Sequence, residues 1–218
     1  MDKSQKLAGL KQKMQQDMSL PLRSGATNLV FGEGNPDTKV YFIGEGPGYF
    51  EDQQARPFVG QAGKLLDKLL ESINLKRADV YISNIVRFRP PENRDPTEEE
   101  IESFRPYVDE EISIIDPDII VTLGRFSMNK FLPGTKISQI HGQSKIVHLN
   151  EKKVTVLPMY HPAAALRAGA VMLQLQKDFQ EIKKTLENPP ETNDMEDKPV
   201  LKGTSIEESK DEEQLKLL

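Results

Sequence analysis

Three short apolar runs, Lys39 to Ile43, Asp79 to Val86 and Ile119 to Leu123, are each followed by a stretch with the apolar spacing of a helix. The first and third lack polar alternation, which is the pattern of strands buried on both faces. After the first, Ala62, Leu65, Leu66, Leu69, Leu70 and Ile73 fall at i, i+3 and i+4 intervals and predict a helix from about Gln61 to Ile73. After the second, Thr97 and Glu100 make a capping box, and Ile101, Phe104, Val108, Ile112 and Ile115 trace the buried stripe of a helix that Pro117 ends. A short helix, Arg125 to Leu132, is expected after the third. Lys145 to Leu149 and Val154 to Met159 flank the turn Asn150-Glu151-Lys152 and read as a hairpin, and from Gly169 a last helix buries Val171, Met172, Leu175, Phe179, Ile182 and Leu186. Such alternation predicts an α/β fold in three layers, α/β/α, with a central, mostly parallel sheet.

A parallel sheet gathers the carboxyl ends of its strands along one edge, where α/β folds bind ligands. Gly44-Glu45-Gly46-Pro47-Gly48, Asn84, Gly124 and His161 all stand at such ends. The glycine-rich stretch suits a backbone that turns sharply and passes close to something flat or anionic. Beyond it, Tyr49 to Pro57 reads as a polar loop ending at Pro57-Phe58-Val59-Gly60. A short strand is expected at Asn28 to Phe31. Arg87, Arg89 and Arg94 cluster in a loop that Pro90 and Pro91 hold irregular, a modest basic patch able to meet phosphates. His141 and His148 read as structural or surface residues, His141 without a recognisable partner.

The chain has no cysteine and three histidines, which excludes thiolate-held metal or iron–sulfur centres and leaves a histidine-rich metal site unexpected. No run of eighteen apolar residues predicts a membrane span. Met1 to Met18 reads as an amphipathic helix, with Leu7, Leu10 and Met14 on one face, rather than a secretory signal, so a cytoplasmic location is expected. The net charge of −5 is unevenly spread: residues 187–218 hold ten acidic residues against four lysines and no aromatic ring. An acidic, disordered tail is expected there, after one near-neutral domain over residues 1–186.

The chemistry-bearing residues fit a base. Asn84 offers an acceptor and a donor side by side, complementing the N–H and carbonyl of a uracil-like edge, whereas cytosine presents the opposite polarity. Phe58 stands where it could stack on a base. Taken in order, Val30-Phe31-Gly32-Glu33-Gly34-Asn35-Pro36, Gly44 to Gly48, Pro57-Phe58-Val59-Gly60-Gln61-Ala62-Gly63, Asn84 with Arg89-Pro90-Pro91-Glu92-Asn93-Arg94, and His161-Pro162-Ala163-Ala164-Ala165-Leu166-Arg167 resemble the fourth family of the uracil-DNA glycosylase superfamily. The resemblance runs from about residue 10 to 186.

It implies hydrolysis of the bond between deoxyribose and uracil in single- or double-stranded DNA, leaving an abasic site; a monomer is expected. It implies that Phe58 stacks on the flipped base and Asn84 pairs with its edge. Gly46 and Gly48 would supply backbone N–H groups and room for the sugar. His161 would hydrogen-bond the uracil carbonyl beside the breaking bond. Ala163 to Arg167, with Leu166 as wedge, would enter the duplex, with Arg89 and Arg94 on the DNA. Glu45, ahead of Glu51 or Asp52, would position water or stabilise the cationic sugar. In the superfamily's best-known branch, an aspartate at the position of Gly46 orients the water and a tyrosine at the position of Gly48 excludes the thymine methyl. The fourth family holds an iron–sulfur cluster on four cysteines, matched here by Asp17, Leu20, Phe88 and Phe104. An apolar plug with Asp17 left at the surface is therefore expected, and no cofactor. Another deaminated or damaged base such as hypoxanthine, or binding without catalysis, remains open on these residues.

Overall fold

The computed structural model describes residues 1–188. In chain order it comprises α1 (Lys3–Gln16), β1 (Glu33–Gly34), β2 (Val40–Gly44), α2 (Tyr49–Gln54), α3 (Gln61–Ser72), β3 (Tyr81–Asn84), α4 (Glu98–Ile115), β4 (Ile119–Leu123), α5 (Arg125–Phe131), α6 (Ile137–Ile140), β5 (Lys145–Leu149), β6 (Lys152–Met159), α7 (Pro162–Ala165) and α8 (Gly169–Glu187). The sheet order is β1-β3-β2-β4-β6-β5. The four inner strands run parallel, and β1 and β5 close the edges antiparallel. The expected acidic tail lies outside the described residues, apart from the end of α8.

Successive side chains of a strand point to opposite faces, so each inner strand feeds two cores. Tyr41, Ile43, Tyr81, Ile120 and Val156 pack beneath α1 and α4, against Leu7, Leu10, Met14, Phe104, Val108 and Ile112. Val40, Phe42, Ile82, Val121 and Leu157 pack beneath α3 and α8, against Leu66, Leu69, Leu70, Leu175, Phe179 and Ile182. This is the three-layer α/β/α arrangement. The predicted capping box of α4 is formed, Glu100 N donating to Thr97 Oγ1 at 3.2 Å and Thr97 N donating to Glu100 Oε2 at 2.8 Å. Among the described residues no helix is long and apolar enough to cross a membrane.

Several local expectations are corrected. Asn28 to Phe31 is not a strand. The carboxylate of buried Asp52 accepts the N–H groups of Thr27 and Asn28, and the first strand forms instead at Glu33–Gly34. Tyr49 to Gln54 is a helix rather than a loop, with Gly48 at its N-cap. His141 has a partner, its Nδ1 lying 2.8 Å from Asp178 Oδ2. Arg87 is no part of a surface patch. It is 1% exposed, paired at 2.6 Å with equally buried Glu111, which also accepts from Tyr41 OH at 2.5 Å.

Candidate active site

Parallel register sets Gly44 directly beside Asn84 at the carboxyl ends of β2 and β3. Two strands across, β6 ends beside β4 and hands on to Tyr160 and His161. Gly44, Glu45 to Gly48, Asn84, Gly124 and His161 are thus gathered along one edge of the sheet. Gly44 is required there: a Cβ would lie 2.5 Å from both Asn84 Oδ1 and Phe58 Cζ.

Asn84 is 2% exposed, and its Oδ1 has no hydrogen-bond partner. A buried acceptor left unpaired costs about 1–3 kcal/mol, and Oδ1 is chemically able to accept a donor brought by a ligand.

Phe58 is also buried, and its ring stacks beside the His161 imidazole, with centroids 5.6 Å apart and planes inclined by 27°. Its backbone sits in the left-handed region, φ +51°, where a bulky side chain is strained. Three neighbours hold it. Arg77 Nη1 donates to the Phe58 carbonyl at 3.0 Å, and Arg77 is itself anchored by Glu33 and Asp67. Gly63 lets α3 approach, because a Cβ there would collide with the same carbonyl. Glu51 Oε1 accepts the N–H groups of Val59 and Gly60 at 2.9 and 2.7 Å. The sequence marks Gly63 only as part of a motif, and nothing in its pattern singles out Arg77.

His161 caps α7, its Nδ1 accepting the Ala163 N–H at 3.1 Å. That bond assigns the proton of the neutral ring to Nε2. Burial pushes the imidazole down to a pKa of about 4, against the opposing pull of the Glu51 charge and with a smaller contribution from Arg167. At neutral pH the ring is an uncharged donor.

Glu45 turns towards Gly124, where φ is +105° and the absent side chain leaves room for the carboxylate. Its Oε1 accepts the Phe126 N–H at 3.0 Å, and burial holds its pKa above the ordinary carboxylate value despite that bond. Glu51 approaches the stretch from its other end, Oε2 lying 2.9 Å from where a Gly48 Cβ would be. Asp52 is occupied by Thr27 and Asn28. Gly46 packs against Val86 and Pro90.

Around this centre, Leu166 is 49% exposed and Arg167 is exposed beside it. Arg89 Nε donates to Asn93 Oδ1 at 2.7 Å. Arg94 stays at the surface but makes a two-pronged pair with Glu100. The residues matched to the cluster cysteines do not fit a cluster. Phe88 and Phe104 are buried with centroids 6.1 Å apart, Leu20 is buried, and Asp17 accepts from Tyr107 OH at 2.5 Å. A chain without cysteine cannot hold the iron–sulfur cluster. Among the described residues no group of three or more His, Asp or Glu is arranged to hold a metal ion.

The family model described as "Uracil DNA glycosylase superfamily" matches residues 31–187. A type-4 uracil-DNA glycosylase of Sulfurisphaera tokodaii is 44% identical over 169 residues, 75% of this chain and 77% of that protein. One from Archaeoglobus fulgidus is 45% identical over 166 residues, 74% of this chain and 83% of its own. One from Thermotoga maritima is 47% identical over 149 residues, 67% and 76% of the two chains.

Proposed function

Because the chain belongs to the uracil-DNA glycosylase superfamily, we propose that it excises uracil from DNA by hydrolysing the N-glycosidic bond, leaving an abasic site. The observation that carries this reading is the buried, unpartnered Oδ1 of Asn84 at the end of β3. It accepts the uracil N3–H while the amide N–H₂ donates to O4. Cytosine would set an acceptor against Oδ1 and a donor against the N–H₂, leaving buried polar groups unpaired, which is the strongest kind of rejection. Phe58 stacks on the flipped base and defines its plane.

As the bond breaks, its electron pair passes to uracil N1 and spreads to O2. The neutral His161 donates from Nε2 to that oxygen, so its hydrogen bond strengthens as charge develops. The sugar becomes cationic. Water adds to it, giving its proton to Glu45, whose raised pKa suits a group that takes up a proton. Glu51, beside Gly48, adds negative charge near the sugar. Gly46 and Gly48 give the sugar close access to the backbone, and Ala163, Leu166 and Arg167 enter the gap left by the base. Arg89 and Arg167 meet phosphates on opposite sides, with Arg94 further out. One chain supplies every residue, so a monomer suffices.

The test is alkaline cleavage of labelled oligonucleotides carrying one deoxyuridine, single-stranded or opposite guanine or adenine, with the parent beside His161→Ala and Asn84→Ala. Cleavage by the parent and its loss in both variants is expected. Folded parent that leaves deoxyuridine intact would overturn the reading.

A further inference from the structure

Tyr49 and Phe50 are the exposed aromatic side chains among the described residues, at 52% and 55%, while every other Phe and Tyr is at least partly buried. They occupy the first turn of α2, immediately after Gly48, and neither contributes to a core. Their rings meet edge to face at 5.5 Å. The Arg89 guanidinium lies 5.2 Å over the Tyr49 ring, and Arg89 is held by Asn93 in the loop after Asn84. Phe50 lies against Gly60, in the segment that carries Phe58. The strand order sets this aromatic pair at the β2–β3 side of the site and Leu166 beyond β6.

We infer that Tyr49 and Phe50, backed by Arg89, form a stacking platform for the unpaired base next to the flipped uracil, and that they make single-stranded DNA the preferred substrate. This rests on the uracil-excision reading. Neither ring belongs to a core and each is half open to water, a nucleobase of any identity offers them a π-face, and Arg89 supplies positive charge for the adjoining phosphate. In a duplex the neighbouring base is already stacked and paired and gains little from the platform. A single strand has no such competitor. Stacking of this kind changes affinity by about tenfold or more per base.

The test measures the dissociation constant of the full chain by fluorescence anisotropy. Its probes are oligonucleotides carrying 2′-fluorinated deoxyuridine, which resists cleavage, single-stranded or annealed to a complement. Further single strands carry a stable abasic spacer on the 5′ or the 3′ side of the uridine. The double variant Tyr49→Ala/Phe50→Ala is expected to bind single strands about tenfold more weakly and the duplex about equally. A spacer on one side should weaken the parent by a similar factor and leave the double variant unchanged, while Tyr49→Phe keeps parental affinity. Additive effects of variant and spacer, or equal losses on single strand and duplex, would overturn the platform. Parent that cleaves deoxyuridine without this coupling loses the platform alone. Parent that shows the coupling without cleaving loses the excision reading alone.

Discussion

Replacing Asn84 by alanine separates a functional buried amide from a structural one. A buried asparagine that holds a fold loses its hydrogen bonds on truncation, and the protein loses stability with them. Here Oδ1 has no partner, so the folded protein already bears a cost of about 1–3 kcal/mol for that atom. Truncation removes that cost, which offsets the packing lost with the small amide. We expect a stability change within about 1 kcal/mol of zero, a shift of no more than about 2–4 °C in Tm for a domain of this size. The substrate fares differently. In the variant, N3–H and O4 of the flipped uracil are buried without partners, at about 1–3 kcal/mol each. Together that is about 2–6 kcal/mol, or roughly 30-fold to 2×10⁴-fold in kcat/KM. Single-turnover cleavage of a deoxyuridine oligonucleotide gives the second quantity and thermal unfolding the first. A Tm lowered by ten degrees or more with excision retained would refute the reasoning, because it would make Asn84 a structural residue.

His161→Ala should lower kcat by about 10²–10³-fold, the usual effect of removing one donor to a developing oxyanion, and this is read from single-turnover rates. With the imidazole at about 4 in the fold, His161 stays neutral from about pH 7 down to about 5, so a fall in kcat across that range should come from Glu45, whose pKa burial raises, and be absent from the residual activity of Glu45→Gln; a fall with a midpoint near 6.5 that persists in that variant would contradict the neutral-donor role. Between about pH 6.5 and 4 the unfolded chain binds this proton and the folded one does not, so the contribution of His161 to stability is full above that window and falls as pH drops through it. Arg87→Ala leaves Glu111 charged in the core and should cost about 3–5 kcal/mol by denaturant unfolding, whereas Arg89→Ala should leave stability within about 0.5 kcal/mol. Gly63→Ala drives a methyl into the Phe58 carbonyl and should lower both Tm and kcat/KM, through a shift of about 1–3 kcal/mol in packing. Phe88→Ala should cost about 3–5 kcal/mol by the same unfolding measurement, as for a buried ring lost from a core.

β2 and β4 were legible because burial on both faces leaves continuous apolar runs, and the β5–β6 hairpin was legible too, although β6 already begins at Lys152, inside the expected turn. The helix of Tyr49–Gln54 was hidden: Tyr-Phe-Glu-Asp-Gln-Gln buries only Asp52, so no apolar stripe betrays it. Glu33–Gly34 was hidden too, because two residues cannot show a period and their place is fixed by β3. Asn84 and His161 were legible as residue types at strand ends, and Phe58 as a ring in the loop after the glycine stretch. Their support was not. Arg77 reaches Phe58 from nineteen residues away, and Arg87 reads as one charge among three until the fold sets Glu111 against it. His141 finds Asp178 thirty-seven residues on. Long-range polar pairs leave no periodic trace in a sequence, because each depends on where the packing of other elements brings two side chains together.

One short segment links the plug in the cluster's place to the chemistry. Ser83 and Arg87 bond to each other across Asn84, Arg87 is clamped to Glu111 of α4, and Phe88 packs on Phe104 of the same helix. The next residue, Arg89, turns back over Tyr49 at the rim. Asn84 is therefore held from its carboxyl side as well as by β3, since Ile85 N and Val86 N bond to the Gly44 and Glu45 carbonyls at 3.0 and 3.1 Å. A position matched to a cluster ligand, Phe88, lies four residues beyond Asn84, the amide proposed to read the base. Whatever fills that position fixes the exit of the loop and, through it, the aim of Asn84. A loop ring packed on a ring of α4 can do this as a cluster would, because the requirement is mechanical: a buried anchor on the α4 side of the sheet. An apolar anchor of Phe88 and Phe104 and the set Phe58, Asn84 and His161 at the sheet edge therefore stand together in one fold without cysteine.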